Sequence, residues 1–160
     1  MWPSLALVFA CFSEEVIPPF DPSKEIWQPT KGALHILDYP LGDTPIQSIL
    51  EYQEPNSIHT LQLNNTSLNT PDIVFMTRSS SVDSLRFLSL KNNNVENLGL
   101  QYLAESNFID NIVELDLEST GISSKGLSHL LQNPEFKPKK LNLSHNSFHS
   151  SVLNTLAKNK

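Results

Sequence analysis

Three carboxylates stand at every second position of one short segment, at Glu114, Asp116 and Glu118. If this segment is an extended strand, all three side chains lie on one face, because successive side chains of a strand point to opposite faces. A row of carboxylates could attract a basic protein surface or bind a hard cation. A straight strand cannot wrap its oxygen atoms around an ion, so the spacing argues against a metal site. The other interpretation is a solvated charged face that nearby lysines balance.

Phe87 and Lys91 occupy equivalent outward positions in the preceding segment, and Lys140 does so in the following one. An outward aromatic ring is costly in water unless another group covers it. Phe87 could therefore anchor a binding partner, or it could rest against the aliphatic part of the Lys91 side chain. The predicted partner-binding residues are Phe87, Lys91, Glu114, Asp116 and Glu118.

No other group of residues has a pattern typical of catalysis. His145 and His149 are four residues apart, which suits a metal pair on a helix, but they flank a turn at Asn146 and lack a third ligand. Gly99 is not in a phosphate-binding pattern, and no serine stands in a nucleophile-elbow context. We therefore predict that the protein is not an enzyme and uses no metal or cofactor.

The segments that carry these side chains recur at a regular interval. In residues 85–95, apolar residues stand at the first, fourth, sixth and eleventh positions, and an asparagine stands at the ninth. The fourth-position leucine recurs at separations of 27, 27, 27 and 26 residues, which predicts a repeat architecture with stacked apolar rows. The fourth-position row is Leu34, Leu61, Leu88, Leu115 and Leu141. The sixth-position row is Ile36, Leu63, Leu90, Leu117 and Leu143.

Each repeat is predicted to contain a strand, a turn, a helix and a return loop. Leucines that alternate with polar residues predict the strands, and leucines three or four residues apart predict helices with a buried leucine face at residues 98–104 and 125–131. Thr44-Pro45 and Thr70-Pro71 are typical of an N-cap followed by proline at the first helical position. Residues 77–81 predict a polar return loop. The predicted fold class is α/β.

These repeats resemble the ribonuclease-inhibitor-like class of leucine-rich repeats, over about residues 31–158. The family's ninth position commonly alternates between asparagine and cysteine, and threonine stands here where the family often has cysteine. The ninth-position residues are Thr66, Asn93, Thr120 and Asn146. The resemblance implies a leucine-rich-repeat solenoid in a short horseshoe arc, with parallel strands on the concave face and helices on the convex face.

The resemblance also implies a class of function. Repeat proteins of this kind bind partners with the concave sheet, so we expect a non-enzymatic protein–protein interaction scaffold. Two alternatives stay open. The chain could be a fragment or structural subunit of a larger leucine-rich-repeat protein, or a regulator or effector such as a GTPase activator or a ribonuclease inhibitor.

Composition argues against a nucleic-acid partner and against a disulfide-stabilised fold. The chain has 160 residues and a formal net charge of -6, which disfavours nucleic acid because such binding needs a clustered basic surface. Cys11 is the only cysteine, so an intramolecular disulfide and a zinc cluster of cysteines are excluded.

The chain is predicted to divide near residue 30. Residues 1–30 contain an apolar run at 5–12 and a Pro-rich stretch, which predict a linker or irregular cap, and residues 31–160 form a domain of about five repeats. The apolar run is too short to span a membrane, and no Lys or Arg precedes it. We predict a cytoplasmic protein, with export through the apolar segment as the alternative.

Overall fold

The computed structural model describes residues 31–41 and 46–158. Five strands and five α-helices alternate along this part of the chain. The strands are β1 (Ala33–Leu37), β2 (Thr60–Asn64), β3 (Phe87–Ser89), β4 (Glu114–Asp116) and β5 (Lys140–Asn142). The helices are α1 (Ile46–Leu50), α2 (Thr70–Arg78), α3 (Glu96–Ala104), α4 (Ser124–Gln132) and α5 (Ser150–Lys158). The predicted N-terminal segment 1–30 and the predicted cap Thr44-Pro45 lie outside the described residues.

The strands form one parallel sheet in the chain order β1 to β5. A tight hairpin cannot join parallel neighbours, so a helix follows each strand and returns the chain to the start of the next one. The register places Leu34, Leu61, Leu88, Leu115 and Leu141 side by side across the sheet. The α/β class predicted from the spacing is therefore confirmed.

The core lies between the sheet and the helices. Leu61 and Leu115 of the sheet and Ile73 and Leu100 of the helices are at most 2% exposed. Burial of one such side chain contributes about 1.5–3 kcal/mol, so the stacked apolar rows supply much of the driving force for folding. The two edge strands differ, since Leu141 of β5 is only partly buried whereas Leu34 of β1 is 1% exposed.

Each strand leads into a turn that contains a residue in the left-handed backbone region. The residue before each ninth position has a φ of 53° to 58°, and the five residues are Asp38, Asn65, Asn92, Ser119 and His145. Asn, Asp and His are enriched among non-glycine residues in this region, which leaves Ser119 as the least suited of the five.

The side chain of Asn93 joins two consecutive repeats. Its Oδ1 accepts hydrogen bonds from the backbone N–H groups of Thr66 and Leu68, at 3.1 and 3.0 Å. Its amide group donates to the carbonyl oxygens of Leu90, at 2.9 Å, and Leu63. One amide therefore satisfies backbone groups of two turns that would otherwise be buried without partners.

Asn146 makes the equivalent hydrogen bonds between the fourth and fifth repeats. Its Oδ1 accepts from the backbone N–H groups of Thr120 and Ile122, at 3.1 and 3.2 Å, and its amide donates to the Leu117 carbonyl. The alternation of threonine and asparagine at the ninth position thus links the repeats in pairs. The second repeat is linked to the third, and the fourth to the fifth.

The start of α2 differs from the prediction. The N-cap is Asn69 rather than Thr70, because the Asn69 side chain accepts the backbone N–H of Asp72 and the Asp72 carboxylate accepts the backbone N–H of Asn69. This reciprocal pair satisfies two N–H groups at the helix end. The Thr70 hydroxyl instead donates to the carbonyl oxygen of Val95, at 3.1 Å.

One further prediction about the helices is confirmed and one is wrong. Leucines three or four residues apart form the buried faces, Leu100 with Leu103 in α3 and Leu127 with Leu130 in α4, whereas Leu98 is 51% exposed. Two residues correspond to about 200° of rotation about a helix axis, so Leu98 and Leu100 face opposite ways. Residues 77–81 are not simply a loop, because the first two end α2 and Ser80–Val82 forms a short 3-10 helix.

Candidate functional site

The outward face of the sheet, opposite the core, forms an open groove of about 540 Å³ that crosses β2 to β5. Its lining includes Thr60, Phe87, Ser89, Glu114, Asp116 and Asn142. Parallel strands in register place equivalent side chains next to one another, so three of the predicted binding residues share this surface. We call it the outward groove.

The prediction that three carboxylates share one strand is wrong in one respect. Strand β4 ends at Asp116, and Glu118 lies beyond it. Oδ1 of Asp116 accepts a hydrogen bond from the backbone N–H of Glu118, at 3.0 Å. An Asp side chain that bonds the backbone two residues later favours a turn, so Glu118 stands at the turn rather than in line with Glu114.

Glu118 is held by two donors from the neighbouring strands' segments. Nζ of Lys91 lies 3.1 Å from its Oε1, and Nδ2 of Asn142 donates to its Oε2 at 3.0 Å. The hydrogen bond from Lys91, followed by that from Asn142, lowers the pKa of Glu118 below its ordinary value. The Glu118 side chain is therefore ionised at neutral pH and already paired within the protein.

Glu114 forms the second ion pair of the surface. Nζ of Lys140 lies 2.7 Å from its Oε1. The Lys140 side chain is 74% exposed and the Glu114 side chain is 39% exposed. An exposed pair of this kind contributes at most about 1 kcal/mol to stability. Both ion pairs fit the interpretation of a charged face that lysines balance.

Phe87 is the exposed aromatic residue of the outward groove, with 39% of its surface accessible. In the register it lies between Thr60 of β2 and Glu114 of β4. Thr60 is too short to cover the ring, and the Glu114 carboxylate is directed to Lys140. Lys91, the other candidate cover, pairs with Glu118 through its ammonium group, and the role of Phe87 as a partner anchor stays a prediction.

Sequence reasoning missed the part that Ser89 plays. Its position in the strand predicts an outward and solvated side chain, yet the residue is only 8% exposed. Its Oγ donates to Oδ1 of Asn64 at 2.6 Å. Asn64 lies two residues after Gln62, the register partner of Ser89 in β2, and was a sequence signal for this bond. Periodicity alone does not select between several polar neighbours.

His145 and His149 do not form a helical pair. His145 lies in the left-handed turn, and the backbone N–H of His149 donates to Oγ of Ser124 before α5 begins. Within residues 31–41 and 46–158, no three His, Cys, Asp or Glu side chains are grouped so that they could hold a metal ion. None of the helices described there combines the length and the apolar character that crossing a membrane requires.

The comparisons with known proteins assign no family. No family model matches the chain, and no curated protein matches it at a significant level. The class of the protein therefore rests on its own architecture. It is an α/β protein whose described part alternates helices with the strands of a five-stranded parallel sheet.

Proposed function

We propose that the chain is a leucine-rich-repeat solenoid of the ribonuclease-inhibitor-like class and a non-enzymatic scaffold for protein–protein interaction. In this proposal the strands line the concave face of a short arc and the helices lie on the convex face. An α-helix is about 10–12 Å wide, whereas neighbouring strands lie about 4.8 Å apart, so stacked units should curve toward the sheet.

The register supports the repeat assignment. The five fourth-position leucines are direct neighbours in the sheet, although 26 or 27 residues separate them along the chain. The turns that follow the strands share a left-handed residue, and ninth-position side chains bond from one repeat to the next. Repetition of the same local geometry favours a solenoid over an unrelated parallel sheet.

The observation that carries the functional proposal is the exposed Phe87 in a groove lined by charged groups. The groove draws side chains from four strands, and such a surface is rigid because each strand is fixed by its neighbours. An accessible aromatic ring surrounded by polar groups is typical of a protein-interaction anchor. The partner face consists of Phe87, Lys91, Glu114, Asp116 and Glu118.

The proposed partner is a protein in the cytoplasm. The net charge of -6 disfavours nucleic acid. Asn142 lies in a glycosylation sequon, and its side chain is in the outward groove, where it donates to Glu118. A glycan there would obstruct the proposed binding face, which favours the cytoplasm over an export route.

Co-purification with matched double variants tests the proposal. Phe87→Ala combined with Asp116→Lys should abolish recovery of a protein that the wild-type chain retains. The control, Phe75→Ala with Glu105→Lys, makes the matching phenylalanine-to-alanine and carboxylate-to-lysine changes at two exposed residues, one in α2 and one directly after α3, and should leave recovery unchanged. Unchanged recovery of every partner by the first variant would rule out this surface.

A second candidate is a structural subunit whose β5 flank packs against another repeat unit. Leu115 and Leu117 are at most 2% exposed, but their equivalents Leu141 and Leu143 are only partly buried. Size-exclusion chromatography with light scattering distinguishes the two candidates. An assembly larger than the 18.0 kDa chain would support a structural role. A monomer would contradict that role and leave the scaffold as the sole candidate.

A further inference from the structure

Asp116 differs from the other two carboxylates of the surface in having no lysine partner among the described residues. Lys140 pairs with Glu114 at 2.7 Å, and Lys91 pairs with Glu118 at 3.1 Å. The hydrogen bond that Asp116 receives comes from the backbone N–H of Glu118 and goes to Oδ1. A negative charge and the acceptor capacity of Oδ2 are therefore left in the middle of the outward groove.

The side-chain donors on either side of Asp116 are directed elsewhere. The register places Ser89 on one side of it and Asn142 on the other. The Ser89 hydroxyl donates to Asn64 at 2.6 Å, and the Asn142 amide donates to Glu118 at 3.0 Å. Because both neighbours are engaged, the carboxylate of Asp116 faces the groove without a competing side-chain donor from within its own row.

Phe87 provides an apolar surface next to this charge. It is the register partner of Glu114, two positions before Asp116 in β4, so the ring and the carboxylate are diagonal neighbours. Diagonal neighbours on one face of a sheet lie about 7–8 Å apart, within reach of a single large side chain. A planar guanidinium group can lie on an aromatic ring and donate N–H groups to a carboxylate at its edge.

We propose that the protein partner places an arginine side chain in the outward groove, with the guanidinium donating to Asp116 and stacked on Phe87. This inference rests on the proposed function. It identifies the partner's side chain by charge complementarity, since the groove presents a negative charge and a guanidinium group is positive. A lysine ammonium is a compact, strongly hydrated charge without a stacking plane, so it satisfies only the electrostatic half of the site.

Titration of the isotope-labelled full chain with short blocked peptides, followed by NMR, tests the proposal. The probes are Gly-Arg-Gly, Gly-Lys-Gly and Gly-citrulline-Gly, the last being neutral and nearly the same shape as the arginine peptide. Saturable shifts of the Ser89, Asp116 and Asn142 amides are expected with arginine, at least about fivefold weaker binding with lysine, and no saturation with citrulline. Equal binding of all three probes would overturn the proposal, as would equal binding of lysine and arginine.

Variants locate the site. Asp116→Asn keeps the side-chain shape and the Oδ1 acceptor, and it should remove saturable binding of the arginine peptide. Phe87→Leu should weaken that binding severalfold, whereas Asp83→Asn, the same charge change outside the groove, should leave it unchanged. Wild-type affinity in Asp116→Asn would overturn the assignment. The citrulline comparison uses the wild-type chain and does not depend on any variant folding.

Failure of the arginine proposal can be distinguished from failure of the proposed function. If arginine peptides do not bind but Phe87→Ala with Asp116→Lys still loses a protein partner, the outward groove is the interface and the arginine assignment is wrong. If the double variant retains every partner, the interface itself is wrong whatever the peptides do.

Discussion

The side-chain amide of Asn93 lies inside the turn that contains Thr66, 27 residues earlier in the chain, and accepts its backbone N–H at 3.1 Å. Asn93 is 7% exposed and Thr66 is fully buried, so water cannot replace this bond. The Thr66 hydroxyl donates to the same Oδ1 at 3.3 Å. This contact joins the turns that follow β2 and β3, two of the strands that line the outward groove.

Asn93→Ala should lower the free energy of unfolding by about 3 kcal/mol. The change leaves several buried N–H and carbonyl groups without partners, and each unsatisfied group costs about 1–3 kcal/mol before the structure relaxes. Urea denaturation measures the effect. Asn94→Ala is the control, because Asn94 is exposed and its side chain donates to Glu96 at the surface. Equal losses in the two variants would contradict the role given to Asn93.

Ser119→Gly should raise stability by about 0.5–1 kcal/mol, because Ser119 has a φ of 53° and glycine adopts this region without strain. Ser128→Gly should lower stability by about 0.5–1 kcal/mol, since glycine in a helix interior loses more conformational entropy. Ser128 lies within α4. Thermal unfolding of both variants is the measurement, and effects of the same sign would show that the left-handed turn does not decide the outcome at Ser119.

The stabilisation that the ion pair between Lys91 and Glu118 gives to the fold should be lost in acid. The folded-state pKa of Glu118 lies below the ordinary value of 4.5, so the pair stabilises the fold above that pH. This contribution decreases as the pH falls from 4.5 through the lowered pKa. NMR titration of the Glu118 carboxyl should give a higher pKa in Lys91→Met than in the wild type. An unchanged value would mean that Lys91 does not hold the carboxylate in solution.

The sequence predicted the apolar rows well, because side chains that must stack across a sheet recur at a fixed interval. It did not predict that Ser89 is buried or that Glu118 leaves the strand. Both depend on which polar neighbour a side chain bonds: Ser89 donates to Asn64 of β2, and Asp116 accepts the backbone N–H of Glu118. Periodicity fixes the row of a residue but not its hydrogen-bond partner.

Helical spacing predicted the buried face of α3. Leu100 and Leu103 are three residues apart and buried, whereas Leu98, two residues before Leu100, is exposed. The N-cap of α2 was not fixed by the sequence, because Asn69 and Thr70 are both good N-caps. Asp72 decides between them by accepting the Asn69 backbone N–H.

Photo-crosslinking from position 87 tests the central claim, that the outward groove binds a protein, most directly. Benzoylphenylalanine replaces Phe87 in one variant and Phe75 in another, two phenylalanines that are 39% and 42% exposed on opposite faces of the protein. Irradiation in a lysate of the source cells should attach one protein species at position 87, with competition by the unlabelled wild-type chain, and none at position 75. Adducts at position 75 alone, or adducts at position 87 that the wild-type chain does not reduce, would contradict the claim.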